Sequence, residues 1–221
     1  MICLVHNETV VPLEVAQDHK CVFDGDKGPN TGGMGSYSPV KKITSEIIDE
    51  AMNEIMKPMA SAMVKEGVPF TGFLYGGLML TEKGIKTIEF NARFGDPEAE
   101  VILPRLESDF VQAILDLMDN KPVELKWTDK VSHGVVLAST NYPASSTKGS
   151  LITGVDDVDG LVFHMGTKMT DEGLVTDGGR VLMVVTLEDD LQTAFDHTYK
   201  ELEKIQCKDL FHRNDIGKKD M

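Results

Sequence analysis

The residue types best suited to chemistry lie in one short strand-like segment, residues 88–98. Side chains alternate between the two faces of a strand, so Glu89, Asn91 and Arg93 are expected on one face. Glu and Asn oxygens two residues apart can hold Mg²⁺, which usually keeps water and substrate phosphates in its other positions. An arginine there would bind a phosphate through two parallel hydrogen bonds. An amphipathic surface strand with a solvated polar face has the same pattern, but the Gly-Asp-Pro turn that follows holds further carboxylates nearby and favours a site.

A second candidate is the glycine-rich segment between residues 17 and 39, where apolar periodicity is lost. Glycines such as Gly32 and Gly33 let backbone N–H groups converge on an anion, so the segment predicts a phosphate cradle in a long functional loop. Lys20 could add a positive charge to it. The Walker A sequence is absent. A glycine-rich loop alone is more often a flexible connection, and a lone lysine is more often solvated, so both alternatives stay open.

A third candidate consists of two cations, Lys168 and Arg180, which end glycine-containing turns on either side of a predicted hairpin. The pair could bind one phosphate in an otherwise acidic chain. A hairpin with exposed basic ends is the competing interpretation. The histidines and cysteines show no spacing typical of a zinc site, and no GxSxG nucleophile motif is present.

The elements that must position these residues predict an α+β chain with mostly antiparallel sheets. We expect hairpins over residues 1–15 and 71–90, a helix over 44–66 kinked at Pro58, a helix over 108–119 capped by Ser108, strands at 131–139, 161–165 and 180–186, and a helix over 190–204. These elements suggest two consecutive domains, 1–125 and 126–221. The second is predicted to be small and β-rich.

Composition excludes several classes of function. The chain has 221 residues, with 22 Lys and Arg against 36 Asp and Glu, a formal net charge of −14. Nucleic acids and anionic membranes would therefore be repelled on average, so neither is expected as a partner. Apolar runs fall far short of the ~20 residues that a membrane helix needs. Three cysteines without CxxC spacing and the lack of a secretory signal predict a cytoplasmic protein.

Five motifs, in order along nearly the whole chain, resemble those of the phosphoribosylamine-glycine ligases (glycinamide ribonucleotide synthetases) of the ATP-grasp superfamily. They are QDHK at 17–20, GPNTGGMG at 28–35, EFNARFGDPE at 89–98, GGRV at 178–181 and FHRNDIG at 211–217. RFGDPE and GPNTGGMG together are quite specific to this family, whereas E-x-N is shared across the superfamily. The resemblance implies the second half of an ATP-grasp domain followed by the family's C-terminal domain.

The resemblance also implies a reaction and a role for each candidate residue. Glycine would be joined through an acyl phosphate to 5-phosphoribosylamine, giving glycinamide ribonucleotide, ADP and phosphate in purine synthesis. Glu89 and Asn91 would hold Mg²⁺ or Mn²⁺ between the phosphates of ATP, and Arg93 would steady the transferred phosphoryl group. Lys20 would lie near the γ-phosphate or the acyl phosphate, and Asp96 would hold the glycine ammonium or accept a proton. Lys168 and Arg180 would bind the ribose 5-phosphate. The residues implied around glycine and phosphoribosylamine are Asp18, Asn30, Thr31, Gly32, Gly33, Pro97 and Glu98.

Three departures from the family pattern qualify this interpretation. Cys21 stands where the family often has Arg, and Glu100 stands where Gln or Met is common and adds negative charge if it faces inward. Family members also carry an N-terminal domain, a lid and the first half of the ATP cleft ahead of the part that matches Met1. We therefore expect half a ligase, inactive alone, that needs a separate N-terminal half or self-associates. The alternative is a non-catalytic binding or interaction module that retains the half-fold.

Overall fold

A computed structural model describes all residues, Met1–Met221, and divides them into two compact units. The first unit comprises Met1–Val15, Val40–Gly95 and Leu106–Thr128, and the second comprises Ala16–Pro39, Asp96–Arg105 and Asp129–Met221. The chain passes between the two units several times, and the predicted boundary between residues 125 and 126 lies near the last passage, after Thr128. The sequence pattern does not predict the earlier passages. The division into two consecutive domains stays a prediction. None of the helices has the length and apolar character needed to cross a bilayer.

Fourteen strands and five α-helices make up the fold. The strands are β1 (Ile2–His6), β2 (Thr9–Pro12), β3 (Gln17–Asp18), β4 (Cys21–Phe23), β5 (Lys27–Asn30), β6 (Gly35–Ser38), β7 (Thr71–Thr81), β8 (Gly84–Asn91), β9 (Val131–Ser139), β10 (Leu161–His164), β11 (Thr167–Thr170), β12 (Gly173–Thr176), β13 (Arg180–Glu188) and β14 (Leu210–Phe211). The helices are α1 (Ser45–Ala51), α2 (Lys57–Lys65), α3 (Ala99–Ile102), α4 (Phe110–Met118) and α5 (Leu191–Leu202). The mixture of antiparallel sheets and helices confirms the α+β prediction.

The first unit is a four-stranded antiparallel sheet in the order β2-β1-β7-β8, so both predicted hairpins are confirmed. Buried side chains on one face of the sheet, such as Cys3 and Leu74, pack against Met52 and Met56. Those two methionines bound a π-helical turn that joins α1 to α2. Pro58 is the second residue of α2, which directly follows this π-helical turn, so the irregularity predicted at the proline lies in the residues just before it.

The predicted cap of α4 is wrong by one residue. The carboxylate of Asp109 accepts the N–H of Gln112 at 2.9 Å, which makes Asp109 the N-cap. The hydroxyl of Ser108 instead accepts the N–H of Lys126 at 2.7 Å and fixes the chain that returns beside it. Both residue types suit an N-cap, so sequence alone does not choose between neighbours.

The second unit is built on a sheet in the order β10-β13-β9-β6-β3, with β14 beside β9. Every residue of β9 is buried, and α5 packs on β9 and β13. The bounds of α5 agree closely with the helix predicted over residues 190–204. The expected long loop over residues 17–39 is wrong, because β3 pairs with β6, β4 pairs with β5, and β6 pairs with β9. Glycines and prolines within these short strands hide their alternation from a pattern analysis.

Candidate functional site

The polar pair of the first unit lies on β8. Asn91 Nδ2 donates to Glu89 Oε1 at 3.1 Å, so the structure brings these two side chains together as the alternation predicts. Glu89 lies opposite Gly77 on β7. A Cβ at Gly77 would lie 3.1 Å from Glu89 Cγ, tighter than most contacts, so the glycine leaves space for the carboxylate. Glu89 is exposed, and its Oε2 makes no hydrogen bond.

The donor set on β8 fits a metal ion that substrate phosphates would largely coordinate. One carboxylate and one amide oxygen on an exposed strand face are hard ligands, and Mg²⁺ is typically bound by one or two such groups plus phosphates and water. No group of three or more His, Cys, Asp or Glu side chains could form an all-protein site. Asn91 would have to turn its oxygen toward the ion and give up its bond to Glu89.

Arg93 lies beyond the end of β8, which stops at Asn91. Its Nη1 donates to the carbonyl of Phe94 at 2.9 Å, and the side chain is otherwise exposed. Phe94 stacks on Phe73 with ring centroids 4.7 Å apart, which anchors the chain directly after the arginine. The anchored backbone leaves a guanidinium that can reach a ligand.

The glycine-rich segment of the second unit does not form the predicted anion cradle. Its backbone N–H groups are already used: Thr31 donates to Lys20 O at 2.8 Å, Gly32 to Tyr142 Oη at 2.8 Å, Gly33 to Thr31 Oγ1 at 2.9 Å and Met34 to His19 O at 2.9 Å. That prediction is wrong because the segment satisfies its own donors. Tyr142 had no sequence signal, since its partner Gly32 is 110 residues away.

Arg180 ties the start of β13 to two predicted substrate-binding segments. Its Nη1 donates to the carbonyls of Gly32 at 3.1 Å and Asp96 at 2.8 Å, and it lies 3.0 Å from Asp96 Oδ1. A Cβ at Gly32 would lie 2.8 Å from Arg180 Cζ, so the glycine lets the guanidinium lie against the backbone. Lys168 is exposed on β11 and no contact joins it to Arg180, so their joint grip on a phosphate stays a prediction.

Asp18 on β3 is the most unusual carboxylate near these segments. Its side chain is 7% exposed and pairs with Lys20, while Oδ1 has no hydrogen-bond partner. A Cβ at Gly33 would lie 2.6 Å from that oxygen and would also overlap Pro97. Burial, and next the negative charge of Glu98, raise the pKa of Asp18 to about 7.

Glu100 faces inward, which is the condition under which this departure from the family pattern matters. Its Oε2 is buried without a hydrogen-bond partner. Burial, followed by the nearby Asp96, raises the pKa of Glu100 to about 7. Glu98, two residues earlier, is only 4% exposed. Glu98 acts electrostatically on both Asp18 and Glu100, while Lys20 pairs with Asp18 and Arg180 pairs with Asp96.

The FHRNDIG motif at 211–217 holds the β4–β5 hairpin. Arg213, which is 1% exposed, donates to Asp26 Oδ1 at 2.9 Å, to Asp215 Oδ1 at 2.8 Å and to Cys21 O at 3.0 Å. The backbone and side-chain nitrogens of Asn214 donate to the two carboxylate oxygens of Asp24 at 2.8 and 3.0 Å. Cys21 directly follows Lys20, so this clamp fixes the backbone beside the lysine. The thiol of Cys21 donates to Asn30 Oδ1 at 3.6 Å.

Two family models match this chain, and both describe domains of the same family. Residues 1–99 match the family model described as phosphoribosylglycinamide synthetase, ATP-grasp (A) domain, and residues 132–219 match the model of the C domain. The phosphoribosylamine–glycine ligase of Halalkalibacterium halodurans is 52% identical over 99% of this chain and 52% of its own length. The chain spans about half the length of the curated relatives it matches.

Solved structures agree with the sequence comparison. The crystal structure of phosphoribosylamine–glycine ligase from Thermotoga maritima matches with a TM-score of 0.89 and 36% identity, over 97% of this chain and 54% of that one. The biotin carboxylase domain of Hydrogenobacter thermophilus 2-oxoglutarate carboxylase, solved with MgADP and bicarbonate, matches with a TM-score of 0.58 and 15% identity, over 95% of this chain and 45% of that one. The latter likeness is one of fold alone.

Proposed function

This chain belongs to the phosphoribosylglycinamide synthetase family, and we propose that it acts as the C-terminal half of an ATP-dependent ligase. The reaction would join glycine to 5-phosphoribosylamine and yield glycinamide ribonucleotide, ADP and phosphate. A carboxylate is a poor electrophile until one of its oxygens is phosphorylated. Phosphoryl transfer depends mainly on positioning and on neutralising negative charge.

The observation that carries this proposal is the Glu89–Asn91 pair on β8, side by side on an exposed face that Gly77 keeps open. These side chains would hold Mg²⁺ or Mn²⁺ against the phosphates of ATP. The bound metal would neutralise charge on the phosphates. Arg93, exposed just beyond the strand, would contact the transferred phosphoryl group.

The second unit would bind the other substrates. Lys20, held through the clamped backbone at Cys21, would place its ammonium near the phosphoryl group. Asn30, Thr31, Gly32 and Gly33 would form a wall of the glycine and phosphoribosylamine site. Arg180 and Lys168 would face the ribose 5-phosphate, with Arg180 already positioned by its bonds to Gly32 and Asp96.

We propose further that turnover needs the part of the ligase outside the half of the relatives' length that this chain spans, supplied by a separate N-terminal half or by a longer chain. Self-association of this chain is a separate proposal, and it would not replace that part. We also propose a cytoplasmic location for the protein, because all of its proposed substrates are small soluble molecules. The alternative of a non-catalytic module has no specific observation in its favour.

Isothermal titration of the chain with ATP tests the metal assignment directly. We expect affinity that rises on adding Mg²⁺ and a Glu89→Ala variant that loses this Mg²⁺ dependence. Glu82→Ala is the matched control, because Glu82 is an exposed glutamate in the turn of the same hairpin. An unchanged Mg²⁺ dependence in Glu89→Ala would contradict the assignment.

A further inference from the structure

Gly32, in the glycine-rich segment, is held on both sides by residues that are distant in sequence. Its N–H donates to Tyr142 Oη at 2.8 Å, and its carbonyl accepts from Arg180 Nη1 at 3.1 Å. The amide nitrogen and the carbonyl oxygen of one residue are about 3 Å apart, so the phenol and the guanidinium lie near each other at Gly32. All three residues belong to the second unit.

The backbone around Tyr142 brings its ring to the residue that precedes Arg180. Ser139 donates its N–H to Gly179 O at 2.7 Å, and Tyr142 donates its N–H to Ser139 O at 2.8 Å. A Cβ at Gly179 would lie 2.5 Å from Tyr142 Cδ2, so the glycine is what lets the ring pack this closely. Two separate sets of contacts therefore place Tyr142 beside Arg180.

The hydroxyl of Tyr142 still has a proton to donate. A phenol hydroxyl both donates and accepts, and this one accepts the N–H of Gly32 but donates to no residue of the chain. The hydroxyl of Tyr199 differs, because it accepts the N–H of Ile216 at 3.2 Å and donates to Arg213 O at 2.9 Å. Tyr142 is only half-buried, so its proton is available to a ligand.

Arg180 also keeps donors that a ligand can use. Its contacts with Gly32, Gly33 and Asp96 all involve Nη1, and the edge formed by Nε and Nη2 makes no hydrogen bond. A Cβ at Gly32 would lie 2.9 Å from Nη2 and 3.1 Å from Nε, so the glycine keeps this edge uncovered. Arginine binds a phosphate through two such parallel N–H groups.

The carboxylates near Arg180 leave the Nε–Nη2 edge open. Asp96 contacts Nη1, and Glu100 interacts with the guanidinium electrostatically without a hydrogen bond to it. Burial, followed by the charge of Asp96, raises the pKa of Glu100 to about 7, so a large share of Glu100 is uncharged at neutral pH. An anion at this edge therefore meets one carboxylate that is already paired and one that is partly protonated.

We propose that Tyr142 is a further substrate-binding residue, whose hydroxyl donates to a phosphate oxygen of a sugar phosphate held by the Nε–Nη2 edge of Arg180. Both groups offer only N–H or O–H donors that lack an acceptor, and such donors suit an oxyanion. The inference rests on the proposed function for the identity of the ligand, the ribose 5-phosphate group of 5-phosphoribosylamine. It adds to that function a residue outside all five motifs.

Isothermal titration of the chain with ribose 5-phosphate measures this contact. We expect Tyr142→Phe, which keeps the ring against Gly179, to weaken binding by about 10- to 100-fold, because a hydrogen bond to a charged group is lost. Binding of ribose, which has no phosphate, should not change in this variant. Tyr199→Phe is the matched control and should leave the affinity unchanged, because it removes a hydroxyl of the same unit whose proton already has an acceptor.

A second measurement separates donation to the ligand from support of the glycine-rich segment. Replacing Tyr142 by 3-fluorotyrosine gives a phenol that ionises at lower pH. Once ionised, its oxygen can still accept the N–H of Gly32 but has no proton to donate. We expect its affinity for ribose 5-phosphate, relative to wild type, to fall as the pH rises through the ionisation of this phenol. Ultraviolet absorbance follows the ionisation, and circular dichroism checks the fold of each variant.

Unchanged affinity in Tyr142→Phe, equal losses for ribose and ribose 5-phosphate, or no binding of ribose 5-phosphate by wild type would overturn the proposal. So would a fluorinated protein whose affinity follows that of wild type at every pH, because Tyr142 would then only support Gly32. Sugar-phosphate binding that needs Tyr142, without Mg²⁺-dependent binding of ATP, would support this site and contradict the proposed function. The reverse result would keep the proposed function and remove Tyr142 from the site.

Discussion

The two units handle their polar groups in opposite ways. The first carries the exposed Glu89 and the half-buried Asn91 on an open strand face, where water solvates them at little cost. The second buries Asp18, Glu98 and Arg213, and each buried charge needs a partner or raises the free energy of the fold. The polar groups of the first unit can therefore exchange water for a phosphate-bound ion at little cost. In the second unit the buried charges hold the folded structure in place through their partners.

The sharpest test of this contrast removes the buried arginine. Arg213→Met leaves Asp215 and Asp26 without their guanidinium, and we expect the free energy of unfolding to fall by about 3 kcal/mol. Glu89→Ala should change it by less than about 0.5 kcal/mol, because that side chain is exposed. Urea denaturation measures both. Equal effects of the two substitutions would remove the contrast.

The pH dependence of stability gives the next largest expected effect. Asp18 has a pKa raised to about 7, so the folded state binds more protons than the unfolded state between about pH 4 and pH 7. That contribution to stability is lost as the pH rises through this window. His19 and His133, with pKa values lowered to about 4, act in the opposite sense, so the wild-type curve alone does not isolate Asp18.

The difference between Asp18→Asn and wild type does isolate it. The free energy of unfolding of the variant, relative to wild type, should rise by an amount on the order of 2 kcal/mol from pH 4 to about pH 8 and then stay level. Urea denaturation across this range provides the measurement. A difference that does not change with pH would mean that Asp18 is ionised throughout.

The two units also differ in how far their polar contacts can be predicted from sequence. Glu89 and Asn91 are two residues apart on one strand, so period-two alternation finds them. The bonds of Gly32 to Tyr142 and of Arg213 to Asp26 span 110 and 187 residues, and no local pattern encodes them. The loop expected over residues 17–39 was wrong because tertiary pairing with β9 makes strands of glycine-rich sequence.

The smallest predicted loss of stability, apart from that of Glu89→Ala, concerns a solvated contact in the first unit. Asp109→Ala removes the N-cap of α4 and should lower the free energy of unfolding by about 1 kcal/mol. Thermal denaturation of this variant beside Asp109→Asn, which can still cap, measures the contribution. A loss as large as that of Arg213→Met would show that surface polar groups of the first unit matter as much as buried ones.

The central claim is that Glu89 and Asn91 supply the metal site of a ligase that this chain completes. The most direct measurement mixes the chain with the N-terminal half of the Halalkalibacterium halodurans relative and assays glycinamide ribonucleotide with ATP, glycine, 5-phosphoribosylamine and Mg²⁺. We predict product from the mixture, none from the chain alone, and at least about a 100-fold loss with Glu89→Ala. Product formed at the full rate by the Glu89→Ala mixture, or by the chain alone, would contradict the account.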